Sequence, residues 1–384
     1  MRTSRSLCHG RDRRGAAGFR AAVILLLAIA GCHGGPSGLL RFAPPPNPTE
    51  EHYVTTSDNW QLHVMRFKAV KTDPQKIPVI LCHGLSYNSN FWNLDMGSSF
   101  AGQLSRRGYD VWVPSLRGVG KSKPGPGAPG DCTVDDYIHK DLPAIIEYVK
   151  EKTNHPKVTW IGHSMGGMVM FGYLETEKPE NVKNFVAIAA PMIFFDPKND
   201  VLEETLKNKN LMKAVAALTG TKIPSQVAGG LGARVDVPLY TLFYNYDNMS
   251  PFTVMKLKAK VVDNTKPGVL DQMMQFLKTG EFTSVDGKFS YTKELGRVKL
   301  PILFIAGQVD NMAPPDVVRY AYEHVSSKDK RYRLFCTANG CRANYGHDDL
   351  VLGTYAEVEV FPYIYFWLEG RSGKVNPGCL ICHK

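Results

Sequence analysis

At 384 residues the chain has room for one large domain or two modest ones, and its composition is that of a globular protein with a substantial core. The net charge of +10 is unevenly spread, because residues 1–31 hold six arginines against one aspartate and supply half of it. The rest has no basic stripe with interleaved aromatics, which argues against nucleic acid as a partner.

Residues 1–31 read as a signal peptide. A basic stretch precedes the apolar run Ala21 to Ala30, which is too short for a comfortable membrane span. Small residues then lead to a cysteine in Ile29-Ala30-Gly31-Cys32. This resembles the lipobox of bacterial lipoproteins. The resemblance implies acylation of Cys32, export to the cell envelope and a lipid anchor in a bacterial membrane. An ordinary secretory signal or an uncleaved anchor is the alternative. Residues 32–50, with Pro44-Pro45-Pro46, read as a tether outside the folded domain.

Tyr53 to Thr56 and Trp60 to Phe67 alternate polar and apolar around Ser57-Asp58-Asn59, the pattern of a hairpin. Pro78 to Cys82 is continuously apolar, as in a parallel strand buried on both faces. It runs into His83-Gly84-Leu85, whose flexible backbone makes the Leu85 N–H a candidate oxyanion donor. His83 is expected to be structural. Phe100 to Arg107 reads as a helix ended by Gly108, and Tyr109 to Pro114 as the next strand. Arg117-Gly118-Val119-Gly120-Lys121-Ser122 tempts a phosphate-loop reading. Ser115 stands where the first glycine belongs, and the segment opens into Pro124-Gly125-Pro126-Gly127 rather than a helix, so that reading is rejected. Asp135 to Lys152 is an amphipathic helix.

Val158 to Ile161 then leads to Gly162-His163-Ser164-Met165-Gly166-Gly167, followed by an apolar helix. A G-x-S-x-G turn between strand and helix holds its serine in a strained conformation above the sheet. Gly162 and Gly166 let strand and helix approach without Cβ clashes. The turn makes Ser164 the candidate nucleophile and the Met165 N–H the second oxyanion donor.

Asn184 to Ala190 is the sixth strand of this series. Strand–helix alternation lapses from 193 to 297, which reads as a helical cap inserted after it, with helices over Leu202 to Leu218, Ser250 to Val262 and Val269 to Leu277. The sheet resumes at Pro301 to Ala306, with Asp310 just past its end. A helix over Pro315 to Val325 and a strand over Tyr332 to Cys336 precede His347 on a loop, and a last helix runs from about Leu350 to Glu369. The order Ser164, Asp310, His347 at successive strand ends suits a nucleophile, an orienting acid and a base. Asp196 is the fallback acid, and Asp348 and Asp349 are expected to serve the loop or the helix start. The division is therefore 51–192 and 298–370 as one α/β core with a mostly parallel sheet flanked by helices, 193–297 as cap and 371–384 as tail.

Taken together, several stretches are similar to the α/β-hydrolases, most to the acid lipase and gastric lipase branch. They are His83-Gly84-Leu85 with Asn90 and Trp92, Gly108-Tyr109-Asp110-Val111-Trp112 with Arg117-Gly118, Lys140-Asp141-Leu142-Pro143-Ala144, the serine turn and the His347 loop. The resemblance implies an α/β-hydrolase fold that hydrolyses carboxylic esters of lipids beneath a helical cap. Met165-Gly166-Gly167 departs from the branch, which has a glutamine and a single glycine before a hydroxyl residue. A short-chain carboxylesterase or an acyltransferase is the functional alternative, ahead of a non-catalytic binding protein on the same scaffold. The expected partners are an apolar ester and a membrane reached through the anchor.

Six cysteines lie beyond Cys8 and Cys32. Export would let them oxidise. Cys336 and Cys341 are expected to form a short disulfide bracing the His347 loop. Cys82 is expected to pack as a small hydrophobe, with Cys132 as its possible mate. Cys379, Cys382 and His383 spell C-x-x-C-H, the haem attachment signature. A terminal disulfide or a Cys/His metal site is the plainer reading, and no cofactor is expected.

Overall fold

The computed structural model describes residues 41, 43–194 and 242–371. Nine strands form one sheet: β1 (Glu50–Thr55), β2 (Trp60–Phe67), β3 (Val79–Cys82), β4 (Val111–Pro114), β5 (Lys123–Pro124), β6 (Val158–His163), β7 (Val182–Ile188), β8 (Ile302–Gly307) and β9 (Lys330–Phe335). Their order is β1-β2-β4-β3-β6-β7-β8-β9, with β5 paired to β2. The hairpin β1–β2 and the β2–β4 pair are antiparallel, and the pairs from β4 through β9 are parallel.

Every residue of β3, β6 and β8 is buried. That is the outcome their unbroken apolar runs predict, because helices cover both faces of a parallel sheet. Phe171 of the helix Met165–Thr176 packs on Phe185 of β7 and Phe304 of β8, with ring centroids 4.9 and 6.0 Å apart. Full burial of such a ring contributes about 2–3 kcal/mol. β4 lies on one side of β3 and β6 on the other, so successive loops diverge there and open a crevice at the strands' carboxyl ends.

The helix expected over 135–152 starts at Val134–Asp136, capped reciprocally by Thr133 and Asp136, and continues as Leu142–Thr153. A π-turn, Tyr137–Asp141, interrupts it and buries Asp141. Asp141 holds the fully buried Arg117 through the Arg117 Nε–H (2.6 Å) and N–H (2.9 Å), which fixes the loop after β4.

Four expectations change. The two-residue β5 makes the insertion follow the seventh strand rather than the sixth; so short a segment, containing a proline, has no strand signature. The tether expected over 32–50 is docked at its far end. Arg41 is buried and donates to Thr253 Oγ1, Leu352 O and Gly353 O. The last helix is two, Asp349–Leu352 and Ala356–Glu369, and Arg41 takes carbonyls exposed at the break. Cys336 and Cys341 are free thiols, not a disulfide. Their turn is closed by backbone instead: Cys341 N–H donates to Cys336 O (3.1 Å), Gly340 adopts φ 86°, and Cys336 is buried while Cys341 is partly exposed.

The described part of the insertion comprises the turn Tyr246–Asn248, the helix Pro251–Lys256 running into a π-turn Leu257–Val261, and the helix Pro267–Thr279 closed by Gly280 at φ 72°. The helix expected over 202–218 lies outside the described residues. Among those described, no helix is long and apolar enough to cross a membrane.

Candidate active site

The crevice collects the turns after β3, β6, β8 and β9. At the end of β6, Ser164 adopts φ 54° and ψ −124° and opens the helix Met165–Thr176. Such a conformation costs a non-glycine residue roughly 1–3 kcal/mol and persists where the surroundings over-determine it. They do so here. A Cβ on Gly162 would lie 2.2 Å from Gly166 O, and one on Gly166 would lie 2.5 Å from Cys82 O. Ser164 N–H donates to Ile188 O (2.8 Å), and Trp160 Nε1–H donates to Gly166 O (2.9 Å). The Met165 N–H is the first of the helix and has no partner within it.

His347 Nδ1 lies 2.9 Å from Asp310 Oδ2, both residues being buried. Asp310 Oδ1 accepts from the N–H groups of Met312 (2.9 Å) and Ala313 (2.7 Å), which fixes the carboxylate. A carboxylate only accepts, so the His347 proton sits on Nδ1 and Nε2 keeps its lone pair. Burial opposes charge on this imidazole, but Asp310 outweighs it and holds the His347 pKa above the ordinary value.

After β3, His83 Nε2 accepts the Leu116 N–H (3.1 Å), so its proton is on Nδ1 and is donated to Gly84 O (2.8 Å). Burial lowers the His83 pKa to about 4, so the ring is neutral. Gly84 O and Leu85 N–H belong to one planar peptide and point in opposite directions. Anchoring the carbonyl on His83 therefore sets the direction of the Leu85 N–H. Gly84 sits close to the nucleophile: a Cβ there would lie 3.2 Å from that of Ser164, a tight contact. The expected structural part for His83 is thus given a form.

Leu85, Ser164 and His347 line one cavity. Its other walls are largely apolar, with Phe194, Phe243, Leu257, Leu270, Met273 and Met274 among them. Asp349 braces the His347 loop as expected, accepting Gly346 N–H (2.9 Å), Asn245 N–H (3.1 Å) and Asn248 Nδ2–H (2.8 Å). Asp348 instead lines the cavity and accepts Tyr87 Oη–H (2.7 Å), and burial pushes its pKa to about 7.

His163 and Tyr87 are site neighbours that the sequence did not flag. His163 stacks on Phe91 at 4.7 Å, is kept neutral by burial, and donates from Nε2 to His347 O (3.1 Å). Its place beside Ser164 in the turn was the one available hint. Ligand atoms of His163, His347 and Asp348 lie within 4.8 Å of one another, a spacing that could hold a metal ion. Cys32, Cys379, Cys382, His383 and the fallback acid Asp196 lie outside the described residues. Cys82 and Cys132 are buried free thiols.

A strand–turn–helix serine, a histidine–carboxylate pair and a largely parallel sheet define a class. The chain belongs to the alpha/beta hydrolase fold family, which it matches over residues 77–338, and residues 47–96 match a partial alpha/beta-hydrolase lipase region. It is 31% identical to a probable lipase of Schizosaccharomyces pombe over 38% of this chain and 34% of that protein. It is 28% identical to the gastric triacylglycerol lipase of Rattus norvegicus over 44% of this chain and 50% of that one. The chain thus spans about a third to a half of the length of these curated relatives. Among solved structures, a thermophilic esterase of Thermogutta terrifontis superposes with a TM-score of 0.56 at 16% identity, covering 84% of this chain and all of that one, a likeness of fold.

Proposed function

We propose that this chain is a serine hydrolase of carboxylic esters with apolar acyl groups. The observation that carries the reading is the meeting of Ser164, the His347–Asp310 pair and Leu85 on one apolar cavity. A serine hydroxyl is a weak nucleophile until a base removes its proton. His347 Nε2 takes that proton as Ser164 Oγ attacks the ester carbonyl. The N–H groups of Leu85 and Met165 receive the developing oxyanion, each worth about 3 kcal/mol. The tetrahedral adduct collapses to an acyl-serine, and His347 returns the proton to the departing alcohol. Water then attacks the acyl-enzyme by the same route in reverse. Asp310 orients the imidazole and stabilises its charged form.

The apolar walls support an acyl chain rather than a polar substituent, and three methionines among them (Met273, Met274, Met312) suit chains of varied shape. The lipases among the relatives agree with this preference. Acylation of Cys32, and through it a bacterial membrane anchor, belongs to the same proposal and rests on the residue pattern of the N-terminus. Mass spectrometry of the mature N-terminus tests it: an unmodified Cys32 in the exported protein would sink it.

The test of the chemistry is hydrolysis of p-nitrophenyl esters of increasing acyl length by the wild type and by Ser164→Ala. Loss of the nucleophile is expected to cost about a millionfold in turnover, with the thermal transition retained. Ester turnover that survives in the folded variant would contradict the reading.

A further inference from the structure

The loop that carries Leu85 does not stand alone. Directly after Leu85, Ser86 adopts φ 61°, a left-handed conformation that a serine keeps only under external restraint. The restraint comes from the insertion, from residues 260–265 more than 170 positions along the chain. Ser86 O accepts the Asp263 N–H (2.8 Å), and Ser86 Oγ bonds Thr265 Oγ1 (2.5 Å). Tyr87 forms an antiparallel bridge with Val262. Asn88 N–H donates to Val261 O (3.1 Å), and Asn88 Nδ2 donates to Lys260 O (3.0 Å). Lys260 and Val261 end the π-turn Leu257–Val261, and the carbonyls at such an end have no partner within the helix.

Asp263 is the centre of this arrangement. Its Oδ2 accepts Asn88 Nδ2–H (2.7 Å) from the loop after β3 and Gly120 N–H (2.8 Å) from the loop after β4. It is 9% exposed, so both bonds are largely shielded from water. Gly120 belongs to the glycine-rich segment that resembled a phosphate loop; here its N–H meets a carboxylate of the chain itself. One carboxylate and its own N–H thus tie three segments together around Ser86.

Resting on the ester-hydrolase reading above, we propose that Asp263 is a positioning residue that holds the Ser86 turn and thereby keeps the Leu85 N–H aimed at the oxyanion. His83 fixes the peptide before Leu85, and Asp263 fixes the turn after it. Neither touches substrate. Removing the carboxylate leaves Asn88 Nδ2 and the Gly120 N–H without this acceptor, and the strained Ser86 turn relaxes. A misaimed donor weakens the transition state without weakening binding of the neutral ester.

The experiment compares Asp263→Ala and Asp263→Asn with the wild type on a p-nitrophenyl ester, with Gln275→Ala as control. Gln275 bonds Thr283 within the insertion and does not reach the loop. Each protein is also titrated with an alkyl trifluoromethyl ketone, which forms an oxyanion-bearing adduct with the serine, and followed by amide hydrogen exchange over residues 84–90. Asp263→Ala is expected to lower kcat by about tenfold to a hundredfold, with KM within about twofold. Affinity for the ketone falls by a similar factor, and exchange over 84–90 speeds up. Asp263→Asn, which keeps one acceptor oxygen in place, recovers part of kcat, and Gln275→Ala behaves as wild type. Unchanged kcat, or a loss carried wholly by KM, overturns the proposal and leaves Asp263 as a brace of the cavity wall. Should the alanine variant fail to fold, Asp263→Asn and Thr265→Val carry the same comparison. If the wild type cleaves no ester, or Ser164→Ala still does, the hydrolase reading fails, and hydrogen exchange alone still judges whether Asp263 orders the loop.

Discussion

Two opposing effects act on His347. Burial disfavours its protonated form, and the 2.9 Å contact with Asp310 favours it, with a net rise. The base works only when neutral, so activity falls as pH drops through this raised pKa, and the acid limb of kcat/KM lies above the ordinary histidine value of about 6.5. Asp310→Asn removes the largest favourable contribution and leaves burial opposed only by Asp348 and Asp349. The limb is expected to move to lower pH while kcat falls by about 10⁴. A profile from pH 5 to 9 measures both. A limb that stays in place or moves upward would remove Asp310 from the role given to it. His83 and His163 behave differently because no acid is within hydrogen-bond distance of either ring; Asp348 Oδ1 lies 4.0 Å from His163 Nε2. Burial dominates in both and keeps them neutral, fit to donate one fixed hydrogen bond each to Gly84 O and His347 O.

The turn between β6 and its helix depends on contacts a single methyl would break. On Gly166 it would lie 2.5 Å from Cys82 O and 2.6 Å from His83 O, both backbone atoms that cannot swing away. Gly166→Ala is therefore expected to cost about 3 kcal/mol or more and to abolish activity. Gly130, with no atom within 4 Å of its would-be Cβ, should tolerate alanine with no measurable change. Urea midpoints of the two variants check the contrast, and equal midpoints would mean the turn can open cheaply. At this scale strand identity was legible where a segment is apolar throughout, as in Val79–Cys82 and Val158–Ile161. It was illegible for Lys123–Pro124, whose pairing with Gln61 and Trp60 comes from the partner strand and not from its own residues. The expected disulfide is absent: spacing put two cysteines at the ends of a turn, and the turn is held by backbone hydrogen bonds and a left-handed glycine while both thiols stay free.

The insertion supplies most of the cavity wall and also clasps the loop that carries Leu85, so substrate size and oxyanion geometry meet in one element. Met274 is partly exposed on that wall, and Met274→Trp narrows the space available to an acyl chain. The ratio of long-chain to short-chain kcat/KM is expected to fall by about tenfold, the scale of one or two displaced methylenes. The p-nitrophenyl series reads it directly, and an unaltered ratio would mean the chain binds elsewhere. The N-terminal stretch takes part as well. Arg41 lies under the broken C-terminal helix and beside Thr253 of the insertion, where a tether was expected.

The sequence by itself determined the sheet's central strands, the serine turn and the order Ser164, Asp310, His347, because each is written in consecutive residues: an apolar run, a glycine spacing, a charged residue just past a strand. It also sufficed to reject a phosphate loop at Gly118 and Gly120. Only the tertiary structure decided which atoms meet. Asp263 reaches Gly120 across 143 residues and Asn88 across 175, and Tyr87 reaches Asp348 across 261. Such pairs leave no local mark. A hydrogen bond depends on where two backbones are brought by all the packing between them, and that packing is a property of the whole chain rather than of any window within it.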